Sequence, residues 1–523
     1  MKKIMALFGL LFLASAATAC GITTTTATTT STTAMTTVTT TVSTTATTTT
    51  SPLTTTTTVT TKLVLAIPAN LRVVDNLVQF DSVSDATRYK VRVLDGETLI
   101  GEYIVASGFD LSLLVDFGAY QIQVKAIGTG DFTDSGYSDA VAIELVDPDA
   151  TNILEAELLN DYTKIRWLGR TYYETLTGRR YFWATASGFD VSFYGTELKV
   201  TFYATKTDIV SKQPYIVVLV DGEADPTKGT TIILNQLQAE YTLVTGLEEG
   251  FHSVKVVKRS EAQDSDTAVL QVSTDGHFTA PNPAKALKIE YIGASSTVGY
   301  GDLGPASAPK TTSNSNGLLC FTYLTSYLLD AETSIFASSG WGLTRGWNTG
   351  GAVSATQNIP AAYEYYAING QNYIYTAAGQ WDHTNYEPDV LVLVLGGNDF
   401  SSSNYSSLTV EEQAAFRASV TAAYVAFIAT LRLYHPDAYI VVVYGVMGEA
   451  AHVMNVAIDA ANQANTAYGQ VTSIRVESAG SNSNPYGSDW HPNVGTYIKA
   501  AEQLADHIAA ITGQDVVREN IVY

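Results

Sequence analysis

The sequence predicts a multidomain protein in which a three-layer α/β domain, built on a parallel sheet, follows two β-sandwich domains. The chain has 523 residues, enough for about three domains once a leader and a low-complexity tract are set aside. Alternating polar and apolar runs dominate the first half, whereas continuous apolar runs alternate with helix-length segments in the second half. We therefore predict five segments: a leader (1–20), a threonine-rich stalk (21–62), sandwiches at 63–147 and 150–275, and the α/β domain (285–515).

The first twenty residues, MKKIMALFGLLFLASAATAC, have the features of an export signal. A lysine pair precedes an apolar run that is too short to span a bilayer comfortably, and small residues follow. The ending Ala-Thr-Ala-Cys resembles a bacterial lipoprotein cleavage site, which implies a lipid on Cys20, membrane attachment and a cell-surface location. Ordinary signal-peptidase cleavage near Ala19 is the alternative.

Composition limits the possible partners and the means of stabilisation. The threonine-rich tract after Cys20 cannot bury enough apolar surface to fold, so we interpret it as a stalk. A net charge of −22 argues against a nucleic-acid partner and is easier to reconcile with a neutral or cationic substrate. The only cysteines are Cys20 and Cys320, so a lipidated Cys20 would leave no intramolecular disulfide.

Both halves of the β-rich region have strand-and-turn patterning. The stretches YKVRVLD and AYQIQVKAIG resemble strands of a fibronectin type III module, whose expected role is spacing or surface contact. After the linker DPDATN, strands such as LKVTFYAT and YIVVLVDG alternate with period two, and we predict a jelly-roll sandwich there. A Gly-Arg-Thr stretch lies at Gly169, Arg170 and Thr171.

The pattern changes after the linker APNPAKA. Apolar runs LKIEYIG, DVLVLVLGG, AYIVVVYG and SIRV predict buried parallel strands, with helices predicted around 318–330, 409–433, 453–468 and 496–511. Thr409 and Glu412 have the spacing of a capping box. In such sheets, reactive groups collect beyond the carboxyl ends of the strands.

Two positions at these predicted ends, and two in other loops, carry candidate chemistry. Ser295, or its neighbour Ser296, follows the first strand in YIGASSTVGYG, and a serine there needs a base and oxyanion donors. Gly340 lies in the glycine-rich loop SSGWGLTRG, and Asn398 follows the strand in LGGNDFS. His491, in YGSDWHPN, is the best candidate base. Taken one at a time, each residue also has an ordinary structural explanation, such as a turn or a cap.

Together, in this order, the four segments resemble the SGNH or GDSL hydrolase superfamily. With the Gly-Arg-Thr stretch and the predicted jelly roll, the sequence is most similar to carbohydrate esterase family 2. The resemblance implies a flavodoxin-like parallel sheet, Ser295 as nucleophile, and His491 as general base. It also implies an oxyanion hole made of Ser295, Gly340 and Asn398.

Two departures bear on the site. Ala294 stands where many relatives have the aspartate of Gly-Asp-Ser, so a looser nucleophile turn is expected. Ser488 occupies the place of the usual triad acid, three residues before the histidine. The acid is then either Asp489, two residues before His491, or absent, with a backbone carbonyl holding the imidazole in a Ser–His dyad.

The implied activity is removal of acetyl groups from polysaccharide of the xylan or glucomannan type through a serine acyl-enzyme. We expect no metal, organic cofactor or obligate protein partner. Trp341, Trp381 and Trp490 lie near the motif loops and are candidates for stacking on sugar rings. The alternatives are an esterase for other short acyl esters or envelope glycans, and a non-catalytic carbohydrate-binding surface protein.

Overall fold

The structure, a computed structural model, describes residues 62–520 except 75, 116, 146–150 and 402. The predicted leader, the threonine-rich stalk and Cys20 lie outside the described residues. Residues from Lys62 onward belong to one compact unit. Within this unit three groups of sheets follow one another along the chain in the predicted order.

The first group consists of two antiparallel sheets, of three and four strands, that enclose one small core. Val78 contributes to this core from one sheet, and Val91, Ile122 and Val124 contribute from the other. The fibronectin type III likeness of this group stays a prediction. Its strands are β1 (Leu63–Val64), β2 (Arg72–Val74), β3 (Leu77–Gln79), β4 (Arg88–Asp95), β5 (Thr98–Val105), β6 (Phe109–Asp110), β7 (Gly118–Ile127), β8 (Phe132–Thr133) and β9 (Val141–Leu145), with β1 and β8 forming a separate parallel pair.

The second group is a sandwich of two antiparallel six-stranded sheets. One sheet runs β12-β13-β20-β15-β18 with β10 on β20, and the other runs β11-β14-β19-β16-β17 with β21 on β14. Period-two alternation fills the space between them with Phe189, Val191, Phe193, Val254 and Val256. The strands are β10 (Ile153–Glu155), β11 (Ile165–Leu168), β12 (Thr171–Glu174), β13 (Arg179–Phe182), β14 (Gly188–Gly195), β15 (Leu198–Ala204), β16 (Tyr215–Val220), β17 (Thr230–Ile233), β18 (Gln238–Val244), β19 (Gly250–Lys258), β20 (Thr267–Thr274) and β21 (His277–Thr279).

The third group is a five-stranded parallel sheet in the order β23-β22-β24-β25-β26. Its strands are β22 (Lys288–Gly293), β23 (Glu332–Ala337), β24 (Val390–Val394), β25 (Tyr439–Tyr444) and β26 (Val471–Arg475). Four of them coincide with predicted strands, and β23 was missed. Because the order reverses next to β22, the carboxyl end of β22 lies at the topological switch point, where ligands of such sheets bind.

Helices cover both faces of this sheet, which explains its continuous apolar strands. On one face the core includes residues of α1 and α6, and on the other it includes residues of α4 and α5. Helix α4 is long and apolar enough to cross a membrane, but Tyr424, Phe427 and Ile428 are buried in the second core, so we interpret it as a core helix. The helices are α1 (Phe321–Leu328), α2 (Ile359–Tyr363), α3 (Gly397–Ser401), α4 (Val410–Tyr434), α5 (Ala451–Tyr468) and α6 (Val494–Thr512).

The second sandwich and the α/β domain share a hydrophobic core. Val217, Leu219 and Val257 of the sandwich belong to the same buried cluster as Tyr323 and Leu324 of α1. Polar contacts reinforce this junction through the Gly-Arg-Thr stretch.

Buried Arg170 makes several of the polar contacts of this junction. It donates to the carbonyl oxygens of Tyr363 (2.7 Å) and Tyr365 (2.9 Å) and pairs with Glu290 of β22 at 3.3 Å. A charge buried this deeply is tolerated because its terminal nitrogens make three hydrogen bonds and the guanidinium lies over the rings of Phe336 and Tyr363. The Gly-Arg-Thr stretch therefore joins two domains whose contacting residues lie far apart in the sequence.

Candidate active site

Ser295 begins a short 3-10 turn directly after β22, at the switch point of the sheet. The turn is closed by Thr297, whose amide donates to the Ala294 carbonyl at 3.0 Å and whose hydroxyl accepts from the Ala294 amide at 3.2 Å. A Cβ at Gly293 would lie 2.0 Å from the Thr297 hydroxyl, so glycine is required before the turn. Thr297 therefore gives the turn two hydrogen bonds although Ala294 has no carboxylate, and the looser turn stays a prediction.

His491 lies within hydrogen-bonding distance of the serine. Its Nε2 is 2.8 Å from the Ser295 hydroxyl oxygen, and its Nδ1 is 2.9 Å from the backbone carbonyl oxygen of Asp489. Because a carbonyl can only accept, Nδ1 carries the proton and Nε2 has the free lone pair that faces the serine. This is the arrangement required of a general base.

The prediction of an Asp489 carboxylate as the triad acid is wrong in its geometry. The carboxylate instead accepts a hydrogen bond from the Tyr300 hydroxyl at 2.9 Å, and only the backbone carbonyl of Asp489 reaches the imidazole. The reason is conformational: Asp489 has φ +55° and ψ +31°, and this left-handed backbone directs its side chain to Tyr300. The observed geometry is that of the alternative, a Ser295–His491 dyad in which a backbone carbonyl holds the imidazole.

The surroundings of His491 favour its neutral form. Burial lowers the pKa of His491 below its ordinary value, although the Asp489 carbonyl and carboxylate partly offset the effect. The ring of Tyr300 packs 4.3 Å from the imidazole, centroid to centroid, and helps hold its plane. The base is therefore unprotonated at neutral pH, as acyl transfer requires.

Three donors surround the place where an oxyanion would form. Gly340, after β23, and Asn398, after β24, line the same cavity as Ser295 and His491. Among the described residues, the amides of Ser295 and Gly340 donate to no protein acceptor, so both are open to a ligand. Asn398 donates one side-chain N–H to the Trp341 carbonyl at 2.7 Å, which leaves the second N–H free and fixes the amide group.

The loop that carries Gly340 is fixed by the residue after Asn398. Asp399 is fully buried and accepts backbone hydrogen bonds from Leu343 (2.9 Å), Thr344 (2.8 Å) and Arg345 (3.0 Å). A Cβ at Gly342 would lie 2.5 Å from the Asp399 carboxylate, which explains the second glycine of the loop. Asn398 and Asp399 together therefore fix the position of the Gly340 loop relative to the Asn398 side chain.

The tryptophan predictions have different outcomes. Trp341 is only 1% exposed and donates from its indole to Asn372, and Trp381 is 9% exposed and packs on Tyr366 outside the cavity. Neither ring is available for stacking, so both predictions are wrong. Trp490 is 62% exposed beside His491 but does not line the cavity, and its role stays a prediction.

Sequence reasoning missed an exposed tryptophan that lines the cavity. Trp347 is 61% exposed and borders a cavity of about 830 Å³ that also contains the serine and the histidine. Gly340 has φ +83°, and a Cβ there would lie 2.3 Å from the Trp347 ring. The dipeptide Gly-Trp at 346–347, at the end of the glycine-rich loop, was the available signal.

The remaining candidates are settled by position. Ser296 is buried, and the imidazole bonds to Ser295, so Ser296 is not the serine that faces a base. In the part of the chain that the structure describes, no group of three or more His, Cys, Asp or Glu side chains is placed to hold a metal ion. The arrangement is equipped for acyl transfer through a serine.

Comparison with known proteins agrees with this geometry. Residues 167–283 match the protein-family model of the carbohydrate esterase 2 N-terminal domain. The cellulase/esterase CelE of Acetivibrio thermocellus is 28% identical over 355 residues, which are 66% of this chain and 39% of that protein. An acetylxylan esterase / glucomannan deacetylase of Cellvibrio japonicus is 28% identical over 302 residues, which are 57% of this chain and 76% of that protein.

Solved structures give the same result for the fold. A family two carbohydrate esterase from Clostridium thermocellum, in complex with cellohexaose, aligns at 26% identity with a TM-score of 0.57 and covers 67% of this chain and 99% of its own. An acetyl xylan esterase from the rumen bacterium Butyrivibrio proteoclasticus gives a TM-score of 0.58 at 20% identity, covers 67% of this chain and 96% of its own, and supports the fold alone. The predicted resemblance to carbohydrate esterase family 2 is confirmed for the second sandwich and the α/β domain.

Proposed function

We propose that this chain belongs to carbohydrate esterase family 2 and is an exported esterase that removes O-acetyl groups from polysaccharide of the xylan or glucomannan type. The observation that carries the proposal is the 2.8 Å contact between His491 Nε2 and the Ser295 hydroxyl oxygen. Two residues 196 positions apart form this contact in a cavity that also contains Gly340 and Asn398.

The proposed reaction is acyl transfer in two steps. His491 takes the proton of Ser295 as the serine oxygen attacks the acetyl carbonyl carbon, and the resulting oxyanion accepts hydrogen bonds from the Ser295 and Gly340 amides and from Asn398. The intermediate then collapses with loss of the sugar oxygen, which takes the imidazolium proton and leaves as a free hydroxyl group. Water, deprotonated by His491, releases acetate from the acetyl-serine and restores the enzyme.

In this mechanism the backbone carbonyl of Asp489 replaces the carboxylate of a triad. It fixes the tautomer and the plane of the imidazole by accepting from Nδ1, at 2.9 Å. A neutral carbonyl stabilises imidazolium less than a carboxylate does, but the exposed charge of Asp489 is nearby and raises the basicity of His491.

The substrate class is supported by the relatives and by the lining of the cavity. Two relatives are named for acetylxylan and glucomannan, and one aligned structure holds cellohexaose. Trp347 offers an exposed aromatic face next to Gly340, suited to stacking on a neutral sugar ring. The chain spans only 39% of CelE, so its own substrate remains the subject of this proposal.

The location is proposed from the sequence. The leader indicates export, and Cys20 followed by the threonine-rich stalk fits a lipid-anchored enzyme held outside the cell envelope. Labelling of the full chain with a radioactive fatty acid in a bacterial host, compared with a Cys20→Ala variant, tests the anchor. Equal labelling of the two proteins would refute lipid attachment at Cys20.

Acetate release is the test of the function. Wild type and Ser295→Ala are compared on acetylated xylan, acetylated glucomannan and O-acetylated peptidoglycan, and on 4-nitrophenyl acetate. We expect acetate from the plant polysaccharides with wild type and none above background with the variant. Release from peptidoglycan alone would favour an envelope substrate, and glycan binding without any acetate release would favour a non-catalytic protein.

A further inference from the structure

Glu261 is a buried carboxylate of the second sandwich that reaches into the oxyanion loop. It lies just after β19 and is 2% exposed. Its Oε2 accepts the Ser339 amide at 3.2 Å and the Ser339 hydroxyl at 2.7 Å. Ser339 directly precedes Gly340, whose amide is open to a ligand, so one carboxylate holds the peptide next to an oxyanion donor.

The segment that carries Glu261 is itself firmly anchored. The fully buried ammonium of Lys258 donates to the carbonyl oxygens of Trp183 (2.8 Å) and Glu261 (2.9 Å). Lys310 pairs with the other carboxylate oxygen of Glu261 at 2.9 Å and also with Asp264. A carboxylate with both of its oxygens engaged cannot rotate without losing charge-assisted hydrogen bonds.

The same contacts extend to the base. Lys310 lies 5.3 Å from the centroid of the Tyr300 ring, and that ring packs on His491. Glu261 therefore contacts the oxyanion loop on one side and, through Lys310 and Tyr300, the imidazole side of the cavity on the other. No described contact joins Glu261 to the place of the reacting atoms, so its action is indirect.

We propose that Glu261 is a positioning residue, through which the second sandwich sets the direction of the Gly340 amide in the oxyanion hole. On the other side of Gly340, the loop is held by Asn398 and Asp399, from within the α/β domain. The glycine is thus held between two supports, and Glu261 is the one that comes from the sandwich. The sandwich is then part of the catalytic machinery and not only a module placed beside it.

The requirement for two supports follows from the conformation of Gly340. A glycine at φ +83° has no side chain to restrict it, and its amide direction depends on the peptides on either side. A misplacement of about 1 Å in a catalytic constellation can lower turnover about 100-fold. Loss of the Ser339 contacts should therefore lower kcat more than it raises KM, because the oxyanion forms only after substrate is bound.

The test uses four variants of the full chain, each with a single substitution. Glu261→Leu removes every carboxylate contact and leaves the backbone carbonyl that accepts from Lys258. Glu261→Gln keeps an amide oxygen that can accept from Ser339, and Ser339→Ala removes only the hydroxyl contact. The matched control is Glu332→Gln: Glu332 is also a buried carboxylate, pairs with Arg166 of the sandwich at 2.7 Å, and lies at the opposite end of β23, away from the active site.

For each protein, kcat and KM on 4-nitrophenyl acetate are measured with the inhibition constant of an alkylboronic acid, which forms a tetrahedral adduct on Ser295. Near-ultraviolet circular dichroism gives the folded fraction. We expect kcat to fall about 100-fold in Glu261→Leu and about 5-fold in Ser339→Ala, by analogy with misplaced catalytic groups. In these two variants KM should change less than about 3-fold, and the affinity for the boronic acid should fall together with kcat. Glu261→Gln should keep most of the wild-type activity, and Glu332→Gln should match wild type.

Two results would overturn the inference. One is a folded Glu261→Leu enzyme with wild-type kcat, and the other is an equal loss in Glu332→Gln. If Glu261→Leu does not fold, unchanged kcat and boronate affinity in both Glu261→Gln and Ser339→Ala would also overturn it.

The inference rests on the proposed function only for the serine chemistry, and the two fail separately. If wild type cleaved 4-nitrophenyl acetate but no acetylated glycan, the substrate proposal would fail while the comparison of Glu261 variants stood.

Discussion

Replacing Asp489 with asparagine separates a dyad from a triad. The carboxylate does not bond to His491, and the backbone carbonyl that does bond is unchanged by the substitution. Asparagine also tolerates the left-handed backbone at φ +55° and keeps a side-chain oxygen for the Tyr300 hydroxyl. The substitution therefore removes a charge and little else.

The expected loss can be worked out from that charge. Ion pairs that involve a solvent-exposed charge are typically worth about 0–1 kcal/mol, and the exposed Asp489 carboxylate bonds to Tyr300 and not to His491. Stabilisation of the imidazolium should therefore fall by less than about 1 kcal/mol, or about fivefold in kcat. In a serine protease with a true triad, replacing the carboxylate by asparagine lowers kcat about ten-thousandfold.

The assay is the pH dependence of kcat/KM on 4-nitrophenyl acetate for wild type and Asp489→Asn. The Asp489 charge raises the pKa of His491, so its removal should lower that pKa and move the acidic limb of the profile to lower pH. His491→Ala serves as the inactive control. A loss of about a thousandfold or more in a folded Asp489→Asn enzyme would refute the dyad and restore the carboxylate as the acid.

Four further outcomes are expected. Because burial lowers the pKa of His491, kcat/KM of the wild type should lose half its value below about pH 6.5, the ordinary histidine value, and a midpoint at or above it in a pH–rate profile would contradict this. Asn398→Ala should lower kcat about 100- to 1000-fold without abolishing activity, and a rate within about tenfold of wild type would remove Asn398 from the oxyanion hole. Gly340→Ala should lower kcat about 100-fold or more, and adding Trp347→Ala should restore only part of it, because the clash is relieved but the positive φ remains; full recovery of kcat would show that backbone strain is unimportant. Trp347→Ala should raise KM for acetylated xylan about 3- to 10-fold and leave 4-nitrophenyl acetate nearly unaffected, whereas equal effects on both substrates would indicate a role in the oxyanion loop instead of in sugar binding.

The sequence alone was sufficient to locate those site residues that lie in short motifs. Ser295 and Asn398 were located because apolar runs mark the strands and their ends meet at one edge of the sheet, and His491 was located from its Asp-Trp-His-Pro turn. Strand β23 was missed because Glu332, Thr333 and Ser334 make half of it polar, as suits an edge strand with one neighbour. The glycine loop was therefore recognised by its motif and not by the strand that delivers it.

Contacts between distant segments could not be predicted. Trp341 and Trp381 looked suitable because they lie near motif loops in sequence, but burial is decided by tertiary packing, which assigned the exposed position to Trp347. The acid was left open for a similar reason. Whether a carboxylate or a carbonyl faces His491 depends on the backbone angles of Asp489. Aspartate is one of the few residues other than glycine that is found in the left-handed region as well as in the common right-handed and extended regions.

The core shared by the second sandwich and the α/β domain limits how such enzymes can be recombined. Val217 and Val257 would be left exposed if the chain were cut at the linker after β21, and Arg170 would lose its acceptors. A chimera built by exchanging domains should therefore be joined ahead of β10, so that the second sandwich and the α/β domain are transferred as one segment. If the α/β domain alone were replaced by that of a relative, the new domain would need a surface that fits the sandwich residues of the shared core.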